Sequence, residues 1–395
     1  MFTRQRYIDQ LLEPSKKIKV LVGVRRSGKS ALLEDLRTAL RRQGVASEQI
    51  QLIDFNWLKD QRLLRPDFLL TAIQKKLVDG KENYLFLDEL EIVTDFLPLL
   101  KRLMTIPRLH MVITGSTTKT LQTLEPLSSD CQIIQVLPLS YPEYLSWHQL
   151  RADHQSLLAY LNDGGFPFAQ SIHEADSRQN YIQEVVNTTM MAAFVRQDAM
   201  CKPSLTTHLA RPLVQHVGQP LNVSQIVSQM SKAGTKASNK TVSTYLRLLG
   251  DTFLFLPCYE YNPLTAQKKS TTVRYFPIDP SIKNTLTRHH SAISAENLIA
   301  LAFLRLYSQG WQVASVHFKG QAITFVANDG EESQYFQFAY SLTDQDHYQQ
   351  VIAPLLALPT EVKKTLLVAK KPQWLLREDS RVEHRGFLEW LSSVE

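Results

Sequence analysis

Gly23-Val24-Arg25-Arg26-Ser27-Gly28-Lys29-Ser30 matches the spacing GxxxxGK[ST] in full. The chemistry that needs this spacing is the holding of a polyphosphate. Glycines let backbone N–H groups close around anionic oxygens, and the N-terminus of a following helix adds its positive dipole end. Lys29 can reach the outer phosphates, and the Ser30 hydroxyl can serve as a Mg²⁺ ligand. All eight residues are therefore candidate nucleotide-binding positions. An acid pair, Asp88-Glu89, ends the apolar run Tyr84-Leu85-Phe86-Leu87. A buried parallel strand delivers its last residues to the carboxyl edge of its sheet, where ligands bind. Asp88 is placed to join Ser30 in the Mg²⁺ shell, and Glu89 to orient or deprotonate an attacking water. The next apolar run ends Ile113-Thr114-Gly115-Ser116. Either hydroxyl there can hold the water or the outer phosphate, and Thr114 joins Lys29 and Glu89 as a catalytic candidate.

Such side chains need a sheet to position them. Apolar runs at Ile18–Val22, Ile50–Phe55, Tyr84–Leu87, His110–Thr114 and Gln132–Leu137 alternate with helical patterns, the first of these being Ala31–Leu40. That alternation predicts an α/β fold, a parallel sheet covered by helices. At 395 residues, 44% hydrophobic and 21% charged, the chain is expected to be globular and to form several domains. No apolar run approaches the ~18 residues of a membrane span, and the start MFTRQRYIDQ lacks a signal-like apolar stretch. Cys131, Cys201 and Cys258 lie far apart, with neither a disulfide framework nor a zinc pattern. This fits a reducing, cytoplasmic setting without membrane contact. A net charge of +6 permits a nucleic-acid partner without requiring one.

A whole strand, Ile50–Phe55, stands between the phosphate loop and the Asp-Glu strand, and a glutamate follows the metal aspartate. This order resembles the additional-strand P-loop ATPases, which include the AAA+ and STAND groups. More specifically, the chain resembles the bacterial and archaeal AAA-type ATPases with a C-terminal domain of unknown function. The matching stretches are Arg4-Gln5-Arg6-Tyr7, the GVRRSGKS loop, FLDELE (86–91), ITGS (113–116), VLPLSYPEYL (136–145), GGFP (164–167) and the run from Tyr275 through Asp279 to Asn284. The resemblance covers nearly the whole chain and implies ATP and Mg²⁺ as ligands and ATP hydrolysis as activity. One departure concerns mechanism: where that family shows Leu-Ser-Gly-Arg, this chain has Leu127-Ser128-Ser129-Asp130. Arg25, Arg26 and Arg196 are the alternative sources of a charge-neutralising arginine.

The expected organisation is a P-loop NTPase core over residues 1–150, a helical lid over 151–203, a winged-helix domain over 204–277 and a C-terminal domain over 278–395. In the winged helix, three helical patterns (205–217, 223–231, 240–249) precede a strand pair (253–259, 273–277). The third helix would present Lys240, Thr241, Ser243, Thr244 and Arg247, with Lys232, Lys236, Lys268 and Lys269 nearby, to DNA. A rigid spacer role for this module stays open. The C-terminal order αβββαβ resembles the PD-(D/E)XK nuclease core, yet Thr324, Gln337 and Ala339 occupy the positions of its two acids and its lysine. Only Glu296 remains on the first helix, so an inactive scaffold is expected. Two functions follow as alternatives: an ATP-hydrolysing switch whose accessory domains bind nucleic acid or a protein, or a DNA-binding or regulatory protein in which nucleotide is structural. Oligomeric state stays open.

Overall fold

The computed structural model describes residues 3–195, 203–262, 267–370 and 378–393. The chain divides into two compact units, Met1–Leu137 with Asp251–Phe253, and Pro138–Gly250 with Leu254–Glu395. Arg196 and Cys201, both singled out in the sequence, lie outside the described residues.

The first unit runs α1 (Gln5–Leu12), β1 (Ile18–Val22), α2 (Lys29–Arg42), β2 (Ile50–Asp54), α3 (Pro66–Gln74), β3 (Asn83–Asp88), α4 (Phe96–Met104), β4 (Leu109–Gly115), α5 (Thr118–Leu124) and β5 (Cys131–Gln135). The strands form one sheet in the order β2-β3-β4-β1-β5, and every pairing in it is parallel. All five residues of β1 are buried, as expected of a central parallel strand covered on both faces. Tyr7, Ile8 and Leu11 of α1 and Leu32, Leu33, Leu36 and Leu40 of α2 pack in one core with Leu21, Phe86 and Val112 of the sheet. The leucines of α2 recur at helical spacing, so the phosphate loop is anchored by the helix that follows it. The unit closes at Leu137, short of the expected 150, because the next helix packs elsewhere through its tyrosines.

That helix is α6 (Tyr141–His148), followed in the second unit by α7 (His154–Asp163), α8 (Ala175–Val195), α9 (Pro203–Gln215), α10 (Val223–Lys232) and α11 (Asn239–Asp251). The rings of Tyr141 and Tyr144 lie 5.5 and 5.2 Å from Tyr160 of α7. Then come β6 (Phe255–Asn262), β7 (Gln267–Pro277), α12 (Ser281–Thr287), α13 (Ala295–Ser308), β8 (Gln312–Phe318), β9 (Gln321–Asn328), β10 (Ser333–Ser341), α14 (Gln345–Leu356), β11 (Lys363–Lys370), β12 (Glu383–Gly386) and α15 (Phe387–Ser392). The sheet order is β12-β11-β10-β9-β8-β6-β7. The antiparallel ribbon β6–β7 joins it because β6 pairs in parallel with β8, Glu260 opposite Ser315 and Tyr261 opposite Val316. The boundary expected between residues 277 and 278 therefore runs across one continuous sheet. The local pattern predicts a separate wing, because strand pairing between distant segments leaves no local signal.

The turn between α7 and α8 carries Gly164-Gly165. Gly164 has φ +72°, and a Cβ there would fall 2.1 Å from Asp279 Oδ1; a Cβ on Gly165 would fall 2.2 Å from Leu139 O. Both positions need glycine for space, and Gly164 also for its conformation. Asp279 is fully buried and accepts from Gly165 N at 2.6 Å, Ser281 N at 2.9 Å and the Ser281 hydroxyl.

Candidate nucleotide site

The loop between β1 and α2 closes by two left-handed residues, Arg26 at φ 67° and Gly28 at φ 104°. Gly23 approaches the backbone after β5 so closely that a Cβ would lie 2.1 Å from Val136 O. The loop is thus clamped against the sheet on one side and continues into α2 on the other. Arg4, buried beside α1, donates to Ser27 O at 3.2 Å and Leu137 O at 2.8 Å, and its guanidinium lies 4.4 Å from the Tyr7 ring centroid. The N-terminal helix is therefore part of the loop's support. Sequence reasoning used Arg4 only as a point of family likeness; its burial against a carbonyl 133 residues away had no local signature.

Lys29 is buried and donates to Gly23 O at 2.9 Å and Val24 O at 3.1 Å. Its Nζ stands 3.8 Å from Glu89 Oε1. Burial lowers its pKa, while the carboxylates of Glu89, Asp88 and Glu91 pull the other way. Ser30, next in the chain, is exposed at the start of α2.

The acid pair sits where the carboxyl edge of β3 meets that of β4. Thr114 donates its hydroxyl proton to Asp88 Oδ1 at 2.6 Å and accepts from Glu89 N at 2.8 Å. Glu89 lies in the left-handed region, φ 58° and ψ 46°, a conformation that costs a non-glycine residue about 1–3 kcal/mol and is found at functional sites. Ser116 donates to Glu89 Oε1. Thr114, expected to hold water or a phosphate, has committed its only proton to Asp88; it positions both acids rather than presenting a free donor. Glu91 supplies a further bracket that sequence reading did not single out, accepting from Thr117 at 2.8 Å and Thr120 at 2.6 Å. The glutamate two residues past Glu89 and a Thr-rich turn after β4 were its only signals.

Two buried polar atoms in this cluster find no partner among the described residues, the Ser27 hydroxyl and Glu89 Oε2. Buried polar groups are rarely left so. They fit a ligand with hydrogen-bonding oxygens and a water to be oriented. The carboxylates of Glu89, Asp88 and Glu91, and more weakly the Arg25 guanidinium, act on the buried Lys29 ammonium, and carboxylates beside a phosphate site suit a divalent cation accompanying the polyanion. The residues present thus fit Mg²⁺ with a nucleoside triphosphate. Of the alternative arginines, Arg25 is half-buried and Arg26 exposed within the loop itself, and Asp130 is exposed.

An AAA domain family model matches residues 15–145, and a model described as a domain of unknown function (DUF8612) matches residues 154–292. Among solved structures, the Walker-type ATPase of Pyrococcus abyssi is similar at TM-score 0.48 and 16% identity, over 73% of this chain and 96% of that one. An uncharacterized protein of Methanocaldococcus jannaschii is 23% identical over 88% of this chain and 80% of its own length. An uncharacterized protein of Haemophilus influenzae is 30% identical over 391 residues, 94% of each chain. The fold and the loop define an AAA-type P-loop protein. The chain belongs to the family of that Haemophilus protein, and it carries an AAA domain with a domain of unknown function C-terminal to it.

Proposed function

We propose that this chain is an ATP-hydrolysing switch. The observation that carries the reading is Glu89: held in a strained backbone conformation, bound through Oε1 to Ser116, and left with Oε2 buried and without a partner among the described residues. Residues 23–30 would hold the phosphates, with the Lys29 ammonium against the outer ones. Ser30 and Asp88 would hold Mg²⁺, which neutralises phosphate charge when bound. Glu89 Oε2 would orient water and take its proton, while Thr114 and Ser116 fix the carboxylate so that little reorganisation is needed. The accessory elements of the second unit would take a macromolecular partner, with residues 278–395 as a nuclease-like scaffold that does not cut. Isothermal calorimetry with MgATP tests the first step: Lys29→Ala is expected to abolish most binding, and unchanged affinity would sink the assignment. The second reading, nucleotide as a structural ligand with negligible turnover, draws on Asp130 at the position where the resembled family is expected to carry arginine. Steady-state phosphate release from the wild type separates the two.

A further inference from the structure

From residue 199 to residue 250 the chain carries no Asp or Glu. With 38 acids in 395 residues, a stretch of this length would hold about five. The same stretch holds Lys202, Arg211, Lys232, Lys236, Lys240 and Arg247. The last four cluster on one helix–turn–helix. Asn222 caps α10, accepting from Gln225 N at 2.9 Å, and Ser238 accepts from Thr241 N at 3.1 Å at the start of α11. Ile226 and Met230 of α10, with Val242, Tyr245, Leu246 and Leu249 of α11, are buried. The opposite face of α11 carries Lys240, Ser243 and Arg247, all exposed, at spacings of three and four that align them in one stripe. Lys232 and Lys236, also exposed, flank the turn. At its tip, Gly234 has φ +82° and open space where a Cβ would stand. The pair is fixed to the ribbon β6–β7 by reciprocal backbone bonds of Leu221 and Val273, 3.0 and 3.1 Å.

We infer that α10 and α11 form a docking surface for duplex DNA, with α11 entering the major groove. Lys240 and Arg247 on one exposed face of α11, with Lys232 and Lys236 beside the tight turn before it, complement the phosphate rows that flank a groove about 12 Å wide. Ser243, between Lys240 and Arg247, is the side chain of the stripe suited to a base edge, and the cations set affinity. A surface for an acidic protein would need no such alignment, and a spacer would not need the absence of acids over the whole segment. The inference rests on the reading of the second unit as partner-binding, and it is independent of ATP turnover.

The test uses the full chain, without nucleotide, and a labelled mixed-sequence duplex of about two helical turns, followed by fluorescence anisotropy across a salt series. The quadruple variant Lys232→Gln, Lys236→Gln, Lys240→Gln, Arg247→Gln changes only exposed side chains. It is expected to bind at least about tenfold more weakly near 0.1 M salt, with the slope of log K against log salt shallower by about 3–4. Wild-type affinity in the variant, no duplex binding by the wild type, or polyglutamate or single-stranded DNA bound as tightly as duplex would overturn the assignment. Lys29→Ala should keep wild-type duplex affinity, so failure of DNA binding and failure of nucleotide binding are read separately.

Discussion

At the scale of single residues, the site is a set of side chains that hold one another. Glu89→Gln keeps the Ser116 contact as an acceptor but cannot take a proton. Turnover is expected to fall by about 10²–10⁴ while MgATP affinity stays; equal phosphate release from both proteins would make Glu89 an ordinary strand-end acid. Thr114→Val removes the proton given to Asp88 and the acceptor used by Glu89 N–H. Two buried groups then lose their partner, at about 1–3 kcal/mol each. Turnover and thermal stability should drop together, and Thr114→Ser should restore both, because the hydroxyl and not the methyl makes the two bonds. A Thr114→Val protein with full activity would show that Thr114 supports nothing in the acid pair.

At the scale of elements, the turn between α7 and α8 depends on one carboxylate far along the chain. Burial pushes Asp279 up to about 6, against the pull of the Ser281 hydroxyl and of N–H donors from Gly165, Ser281 and Phe166. The folded chain therefore holds that proton more tightly than the unfolded chain, whose value is 3.8. The extra stability is full below the unfolded value and is lost as pH rises through about 6. Relative to Asp279→Asn, which cannot titrate, the wild type should gain about 1 kcal/mol between pH 6 and pH 5, since the folded carboxyl is already half-protonated at pH 6. Denaturant unfolding of both proteins at the two pH values checks this, and parallel curves refute it. The N-terminal helix α1 makes a similar long-range support. Arg4→Ala should lower both thermal stability and MgATP affinity, since Ser27 O and Leu137 O lose a buried donor; a variant with lowered stability but unchanged affinity would confine Arg4 to packing.

At the scale of the whole molecule, the C-terminal sheet has uncharged side chains at the three strand positions where the sequence resemblance would place nuclease acids and a lysine. Thr324 N and its hydroxyl both donate to Gln337 Oε1, at 2.9 and 3.0 Å, across β9 and β10. Ala339 is buried in the core with Tyr348 and Ile352. Glu296 is exposed and accepts from the Ser294 hydroxyl at 3.1 Å. The side chains at the two strand positions expected to carry acids are bonded to each other. No cleavage of plasmid or single-stranded DNA is expected with Mg²⁺ or Mn²⁺. Metal-dependent cutting that disappears in Glu296→Ala would prove the domain active.

Local patterns carried much of this protein in advance. The strand Ile18–Val22, the phosphate loop and the helix behind it were legible because an apolar run, a glycine spacing and a helical period lie within 25 residues. The acid pair at the end of β3 was legible for the same reason, since strand ends and their polar tips are contiguous in the chain. The helices of the α10–α11 pair were equally readable from period and caps. Tertiary structure alone decided which hydroxyl serves which acid, that Arg4 holds the loop, that β6–β7 extends the C-terminal sheet, and that Asp279 pins Gly165. Each of these joins residues at least 23 apart. Side chains of ordinary type become specific only when folding brings a donor, an acceptor and the exclusion of water to one place, and no spacing along a chain records that meeting.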